Sequence, residues 1–310
     1  MPTTTFANGI VITTYPVPPA SFDFEKATDE ERTLYGIPRL TAGSSDVQKR
    51  LQETVQNIRL VEPVFKQRDI RRKKLPGLKP GHDTETYDNW SGGVTFPASG
   101  DKIWCVNGTW NIPKASLPAG AQSGIWYTAS TWIGIDGDDG SGDIVQAGCD
   151  AEVMISGGDT QYQFNPWWEW WPAGSFWITN IPASAGDEFT CFIQCIPLLA
   201  GSANPNSALL LLVNVTKSFG LFFVATAAAH VSLQGNCAEW ILEALETGPK
   251  GEPELAKFTT VDFTQCSAIT VRDKTVLPDS GNKINMVDKN GSVISKGKFV
   301  GSNKVQVSYV

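Results

Sequence analysis

Trp132-Ile133-Gly134-Ile135-Asp136-Gly137-Asp138-Asp139 leads within a few residues into Asp143-Ile144-Val145-Gln146-Ala147-Gly148. An apolar, β-branched run entering a Gly/Asp turn and followed by a second apolar run predicts two strands joined by a tight connection. Gln146 is the exception in the second run. A buried amide must find hydrogen-bond partners, so its place among Ile144, Val145 and Ala147 asks for a reason. A second stretch, Ala238-Glu239-Trp240-Ile241-Leu242-Glu243, consists largely of good helix formers, and local propensity favours a helix. Read as a strand, it puts Glu239, Ile241 and Glu243 on one face and Ala238, Trp240 and Leu242 on the other. Both readings align the two glutamates.

Working outward, the texture from Tyr87 onward is one of short apolar runs separated by Gly, Pro, Asn and Asp. Strands are expected at 92–96, 102–112, 124–135, 143–155, 176–181, 188–199, 208–215, 221–227 and 257–271. Such regular spacing with turn signals points to an all-β sandwich. The final thirty-odd residues, rich in Lys, Asn, Gly and Ser, read as a further hairpin or a loose tail. With 310 residues, 41% of them hydrophobic, the chain can bury a large core as one main domain with an appendage.

That appendage is the first 80 residues, which hold 13 Lys/Arg against 9 Asp/Glu, while residues 81–310 hold 12 against 23. A basic leader (1–80) on an acidic body (81–310) can dock by charge and loses that attraction as carboxylates protonate. Residues 1–20 are Thr/Pro-rich and expected to be extended. Thr28-Asp29-Glu30-Glu31 and Ser45-Asp46-Val47-Gln48 are capping boxes that open two short helices. In the second helix Val47, Leu51, Val55 and Ile58 share a face, and Pro63 stops the pattern. The basic run 66–74 lacks interleaved aromatics and is joined to an acidic body. It therefore reads as a linker rather than a nucleic-acid contact, with the Pro/Gly-rich stretch 75–81 as the domain boundary.

The six cysteines form no Cys-x-x-Cys pair and the histidines are only His82 and His230, so no metal site is expected. Core thiols or a few disulfides remain. Met1-Pro2-Thr3-Thr4-Thr5 has neither a charged n-region nor an apolar h-region, so no secretory signal is expected, nor a membrane span. Sequons stand at Asn89, Asn107, Asn214 and Asn290.

Five motifs occur in order: Asn89-Trp90-Ser91-Gly92-Gly93, Trp132-Ile133-Gly134-Ile135-Asp136-Gly137, Gln146-Ala147-Gly148, Trp168-Glu169-Trp170-Trp171-Pro172 and Ala238-Glu239-Trp240-Ile241. Together they resemble the glutamic peptidases called eqolisins over roughly 87–271. The resemblance implies two curved antiparallel sheets with a substrate cleft on a concave face, and a catalytic pair carried over as Gln146 and Glu239. It makes Asp136 a supporting partner, and Trp132 and Trp90 walls of the substrate groove. Trp168 and Trp171 replace the family's usual tyrosines around Glu169. Related zymogens carry a basic leader over the acidic cleft, so residues 1–80 resemble a removable, inhibitory prosegment. Polypeptide substrates, a monomer, no cofactor, and an extracellular or otherwise acidic compartment are the corresponding expectations.

The residue types suit that chemistry. Attack of water on a peptide requires a base for the water's proton and donors for the oxyanion. Glu239 can be the base, and the Gln146 amide can position the water and donate without carrying charge. By residue type alone, Glu243 and Glu169 compete with Glu239, Asp136 and Asp138 suit a turn, and Gln146 suits an ordinary cross-strand hydrogen bond. Two other classes fit the same composition. Exposed tryptophans on a sandwich would serve a carbohydrate-binding, lectin-like module, and Asp136, Glu169 and Glu239 offer the paired carboxylates of a glycosidase.

Overall fold

The computed structural model describes residues 2–310 except 7, 20, 24, 25, 37–44, 69–80, 82, 138–140, 197–204 and 228–230. The leader holds strands β1 (Thr3–Thr5) and β2 (Val11–Thr13), helices α1 (Asp29–Leu34) and α2 (Ser45–Gln56), then β3 (Arg59–Leu60) and β4 (Phe65–Arg68). The body opens with β5 (Thr84–Tyr87), β6 (Trp90–Thr95), β7 (Ile103–Asn111), β8 (Ala115–Ser116), β9 (Tyr127–Asp136), β10 (Ile144–Ser156), β11 (Asp159–Trp171) and β12 (Gly174–Ile178). It continues with β13 (Glu188–Ile196), β14 (Ser207–Asn214), β15 (Phe219–Thr226), β16 (Ala238–Glu243), β17 (Lys257–Phe258) and β18 (Val261–Thr270). Strands β19 (Thr275–Val276), β20 (Asn282–Val287), β21 (Val293–Phe299) and β22 (Val305–Tyr309) end the chain.

These strands build a sandwich. One layer runs β1-β2-β15-β14-β13-β7-β18-β19, antiparallel throughout, with β3 parallel to β15. The other runs β4-β12-β11-β10-β9-β16-β6-β20, and β5, β21 and β22 complete its far end. Strand β18 belongs to both, pairing with β22 through Val261–Phe263 and with β7 beyond, the switch marked by irregular register at Gln265, where φ is 54°. A bulge of this kind is the usual way for a strand to turn a corner between sheets.

Alternation along the strands decides what lies between the layers. Val145, Ala147, Cys149, Ala151 and Val153 of β10 face inward with Trp168 and Trp170 of β11 and Ala238, Trp240 and Leu242 of β16. Leu210, Leu212 and Phe223 meet them from the other layer. Each fully buried aliphatic or phenyl side chain of this kind contributes about 1.5–3 kcal/mol. Tertiary context overrides helix propensity in β16. Hydrogen-bonded on both sides, to β6 and β9, it is a central strand, and its two glutamates stay aligned on one face.

Other expectations are adjusted. Strand β11 was not among the expected strands, the tail is a hairpin joined to β18 rather than loose, and the expected 257–271 strand divides into β17 and β18. Helix α1 carries the anticipated capping box, with Thr28 and Glu31 exchanging both bonds, whereas Ser45 is the first residue of α2. Val47 and Val55 seat α2 on the outer face of the first layer against Phe192, Leu211 and Phe222. The leader also forms four strands, of which β2 and β3 pair with β15 of the body and β4 with β12, while β1 pairs with β2. All six cysteines are buried free thiols. Asn89, Asn107 and Asn214 are buried, leaving Asn290 as the exposed sequon. Asp138, Asp139, His82, His230 and residues 69–80 of the basic run and linker lie outside the described residues.

Candidate active site

The outward face of the second layer collects the motif residues. Register sets Glu169 (β11), Gln146 (β10), Gly134 (β9), Glu239 (β16) and Val94 (β6) in one row across five adjacent strands. At roughly 4.8 Å per strand, the Cα atoms of Gln146 and Glu239 lie about 10 Å apart. Gly134 stands between them and offers no side chain. A Cβ there would come within 3.1 Å of the Trp132 ring and 3.2 Å of Ile144 Cδ1.

Gln146 Nε2 donates to Glu169 Oε2 at 2.7 Å, and Gln146 Oε1 has no hydrogen-bond partner among the described residues. Glu169 thus sits beside Gln146, on the side away from Glu239. Cys237 Sγ donates to Glu239 Oε1 at 3.6 Å. Gln146, Glu239 and Asp136 are each 0% exposed.

Asp136 ends β9 in the left-handed region, φ 67°, which Asp tolerates better than most residues. Its carboxylate accepts the backbone N–H groups of Gln234 (2.7 Å), Gly235 (2.9 Å) and Asn236 (2.7 Å). Those residues immediately precede β16, so Asp136 fixes the entry to the strand that carries Glu239. Trp132 Nε1 donates to Glu243 Oε2 at 3.0 Å, and its ring meets Trp90 edge-on at 4.8 Å. Gly148 permits this packing, because a Cβ there would lie 2.6 Å from Trp132 Cβ and 2.0 Å from the Thr131 carbonyl oxygen. Trp168, which shares a face with Trp170, does not join the row. It lies on the opposite face of β11 from Glu169, in the core between the layers, stacked on Phe176 at 4.9 Å.

Sequence reasoning missed a second group on this face. Asp150 and Glu152 follow Gln146 at intervals of four and six along β10, and period-2 alternation places all three on one side. Asp150 Oδ1 accepts from Ser130 Oγ at 2.7 Å, and Ser130 accepts from Trp167 Nε1 at 3.1 Å. Asp150 Oδ2 lies 2.7 Å from Arg68 Nη2. Glu152 accepts from Gln163 Nε2 (2.6 Å) and Asn165 Nδ2 (3.2 Å). Burial, then the neighbouring Asp150 charge, push the Glu152 carboxyl up to about 7 despite the opposing pull of Arg68. Arg68 is a leader residue, with no motif to mark it.

The Peptidase A4 family model matches residues 88–309. The chain is 29% identical to aspergillopepsin-2 of Aspergillus niger over 77% of its length and 88% of the relative. It is 28% identical to scytalidopepsin B of Scytalidium lignicola over 79% of its length and 90% of that relative. Scytalido-glutamic peptidase, crystallised with a peptide-based transition-state analogue, superposes with a TM-score of 0.56 at 26% identity, covering 72% of this chain and 98% of that one. The sandwich, the ordered motifs and these matches agree: the chain belongs to the Peptidase A4 family, the eqolisins, and is a glutamic endopeptidase.

Proposed function

We propose that Glu239 and Gln146 form the catalytic pair of an acid-acting endopeptidase. The observation that carries this reading is their common row on one face, separated by a residue without a side chain. A scissile peptide laid over Gly134 lies between a carboxylate and an amide. Glu239 takes a proton from water as the oxygen attacks the carbonyl carbon. Gln146 uses the second N–H of its Nε2 for the developing oxyanion, while Glu169, accepting the first, holds the amide's orientation. The Glu239 proton then passes to the leaving nitrogen as the C–N bond breaks. Asp136 and Glu243 act as positioning residues, through the 234–236 segment and through Trp132. The lectin-like alternative loses its support, since no tryptophan of this chain is exposed.

In the same reading, residues 1–80 are a prosegment that keeps the enzyme latent. Strand β4 lies on the free edge of β12, and Arg68 enters the carboxylate group on the catalytic face. Hydrolysis of a denatured protein from pH 2 to 8 tests the proposal. Activity confined to acid, and reduced at least a hundredfold in both Gln146→Ala and Glu239→Gln, is expected from the loss of about 3 kcal/mol per oxyanion donor or of the base. Wild-type turnover in either variant refutes the assignment.

A further inference from the structure

Cys237 takes no part in the reaction drawn above, yet its thiol meets the base. It stands two positions before Glu239, and alternation along the strand puts both side chains on one side. Backbone bonds fix it from both ends. The carboxylate of Asp136 takes the N–H groups of Gln234, Gly235 and Asn236, and the Asp136 N–H donates to the Cys237 carbonyl oxygen at 3.1 Å. From Ala238 onward the ladders to β6 and β9 hold the chain. The side chain, 0% exposed, packs in an apolar cluster with Trp132, Ile144 and Ile241. Cysteine suits that setting as a small apolar group with one weak donor. Its donor reaches Glu239 Oε1 at 3.6 Å.

We propose that Cys237 is a positioning residue for the general base: its thiol, donating to Oε1, fixes the plane of the Glu239 carboxylate that receives the water's proton. The proposal rests on the catalytic pair assigned above and adds how the base is aimed. The terminal torsion of a glutamate is broad, so burial alone sets the carboxylate plane loosely. One donor with a fixed origin selects that plane, and with it the direction in which lone pairs are offered to a water over Gly134. The same bond favours the ionised form, which a base must hold in acid. Among the described titratable groups, Asp136 ends the neighbouring strand, Glu243 lies farther along β16, and Glu169 lies beyond Gln146, while β6 and β9 present Val94 and Gly134 in the row. Each of those three carboxyl groups, where ionised, opposes the charge on Glu239, which gives a donor beside it added weight.

The test measures kcat and KM for one peptide across the pH range with the full chain activated in acid, for the wild type and for Cys237→Val, Cys237→Ala and Cys237→Ser. Valine is close to cysteine in size and alanine leaves a small gap, so a change common to both reports the lost donor rather than lost volume. In both, kcat is expected to fall about five- to tenfold with KM unchanged. The acid limb of kcat/KM should move up by about half to one pH unit, because the ionised base has lost a donor. Serine, which keeps a donor, should recover part of both effects. A wild-type kcat and acid limb in the valine and alanine variants, or equal changes in all three variants, overturn the assignment. A readout independent of turnover is the Cys237 S–H stretching band, obtained by subtracting the infrared spectrum of the matching Cys237→Ser variant. It should rise in frequency when Glu239 is protonated and in Glu239→Gln, and a band that moves in neither overturns the contact. A band that responds in a chain that cuts no peptide overturns the assigned reaction, and the positioning role with it, while the contact stands.

Discussion

Gly134 shows how one missing side chain shapes the site. In the described row every strand but β9 contributes a side chain, and the proposed reading lays the scissile bond in that gap, between Gln146 and Glu239. Gly134→Val would fill it and press on Trp132 and Ile144. Overpacking of this sort costs about 1–3 kcal/mol, whereas kcat is expected to fall on the order of a hundredfold because the amide can no longer reach the oxyanion. A folded variant with undiminished kcat would refute the row as the site. Asp136→Ala removes an acceptor shared by three backbone N–H groups and leaves alanine at a φ of 67°. We expect a loss of on the order of 3 kcal/mol, visible as a lower denaturant midpoint. Unchanged stability would show that the 234–236 segment is held by other contacts. The motif residues were legible because each violates its surroundings, such as an amide or acid in an apolar strand. Asp150 and Glu152 were equally legible by alternation from Gln146, but no local anomaly drew attention to them. Arg68 was not legible, because its partner is remote in sequence.

Elements were legible where their causes are local. The capping box at Thr28 and the turn after Asp136 follow from a few neighbouring residues. Strand β16 does not, since its residues favour a helix and become a strand only because β6 and β9 supply ladders on both sides. Strand β11 escaped notice because its first half, Asp159–Phe164, is polar and largely exposed, and it extends by pairing residue for residue with β10. The leader's short strands likewise take their order from the edges they cover. Helix α2 has a sequence pattern, but its significance is tertiary, because Val47 is buried over Phe192 and Leu211 on the outer face of the first layer. This contact is apolar, so it holds no charge for acid to neutralise. Val47→Asp should cost on the order of 2 kcal/mol by burying an unpaired carboxylate. Protease sensitivity of residues 45–56 at neutral pH should rise. If neither changes, α2 is not anchored through Val47.

For the whole molecule, the basic leader and acidic body meet at a group whose titration acts on each in opposite directions. Glu152 faces Asp150 on its own strand, Arg68 of β4, the amides of Gln163 and Asn165 from β11, and Thr128 of β9 across the ladder. Its folded value, about 7, exceeds the ordinary 4.5, so the folded chain binds the proton more tightly than the unfolded chain. Stability from this group is therefore greatest below about 4.5 and is lost as pH rises through 7, by on the order of 3 kcal/mol. The attraction between Arg68 and Glu152 has the reverse dependence, present while the carboxylate is ionised and lost as pH falls through about 7. Acidification thus strengthens the sandwich while removing one of the two carboxylates that attract Arg68 of β4, the direction that the proposed prosegment reading calls for. Self-processing of the full-length chain, followed by gel from pH 8 to 5, should begin as Glu152 takes up its proton. In Glu152→Gln, neutral throughout, onset should move to higher pH, and the body should lose the part of its pH-dependent stability between about 4.5 and 7 that Glu152 supplies. Processing with the same pH profile in both proteins would show that Glu152 does not control release of the leader.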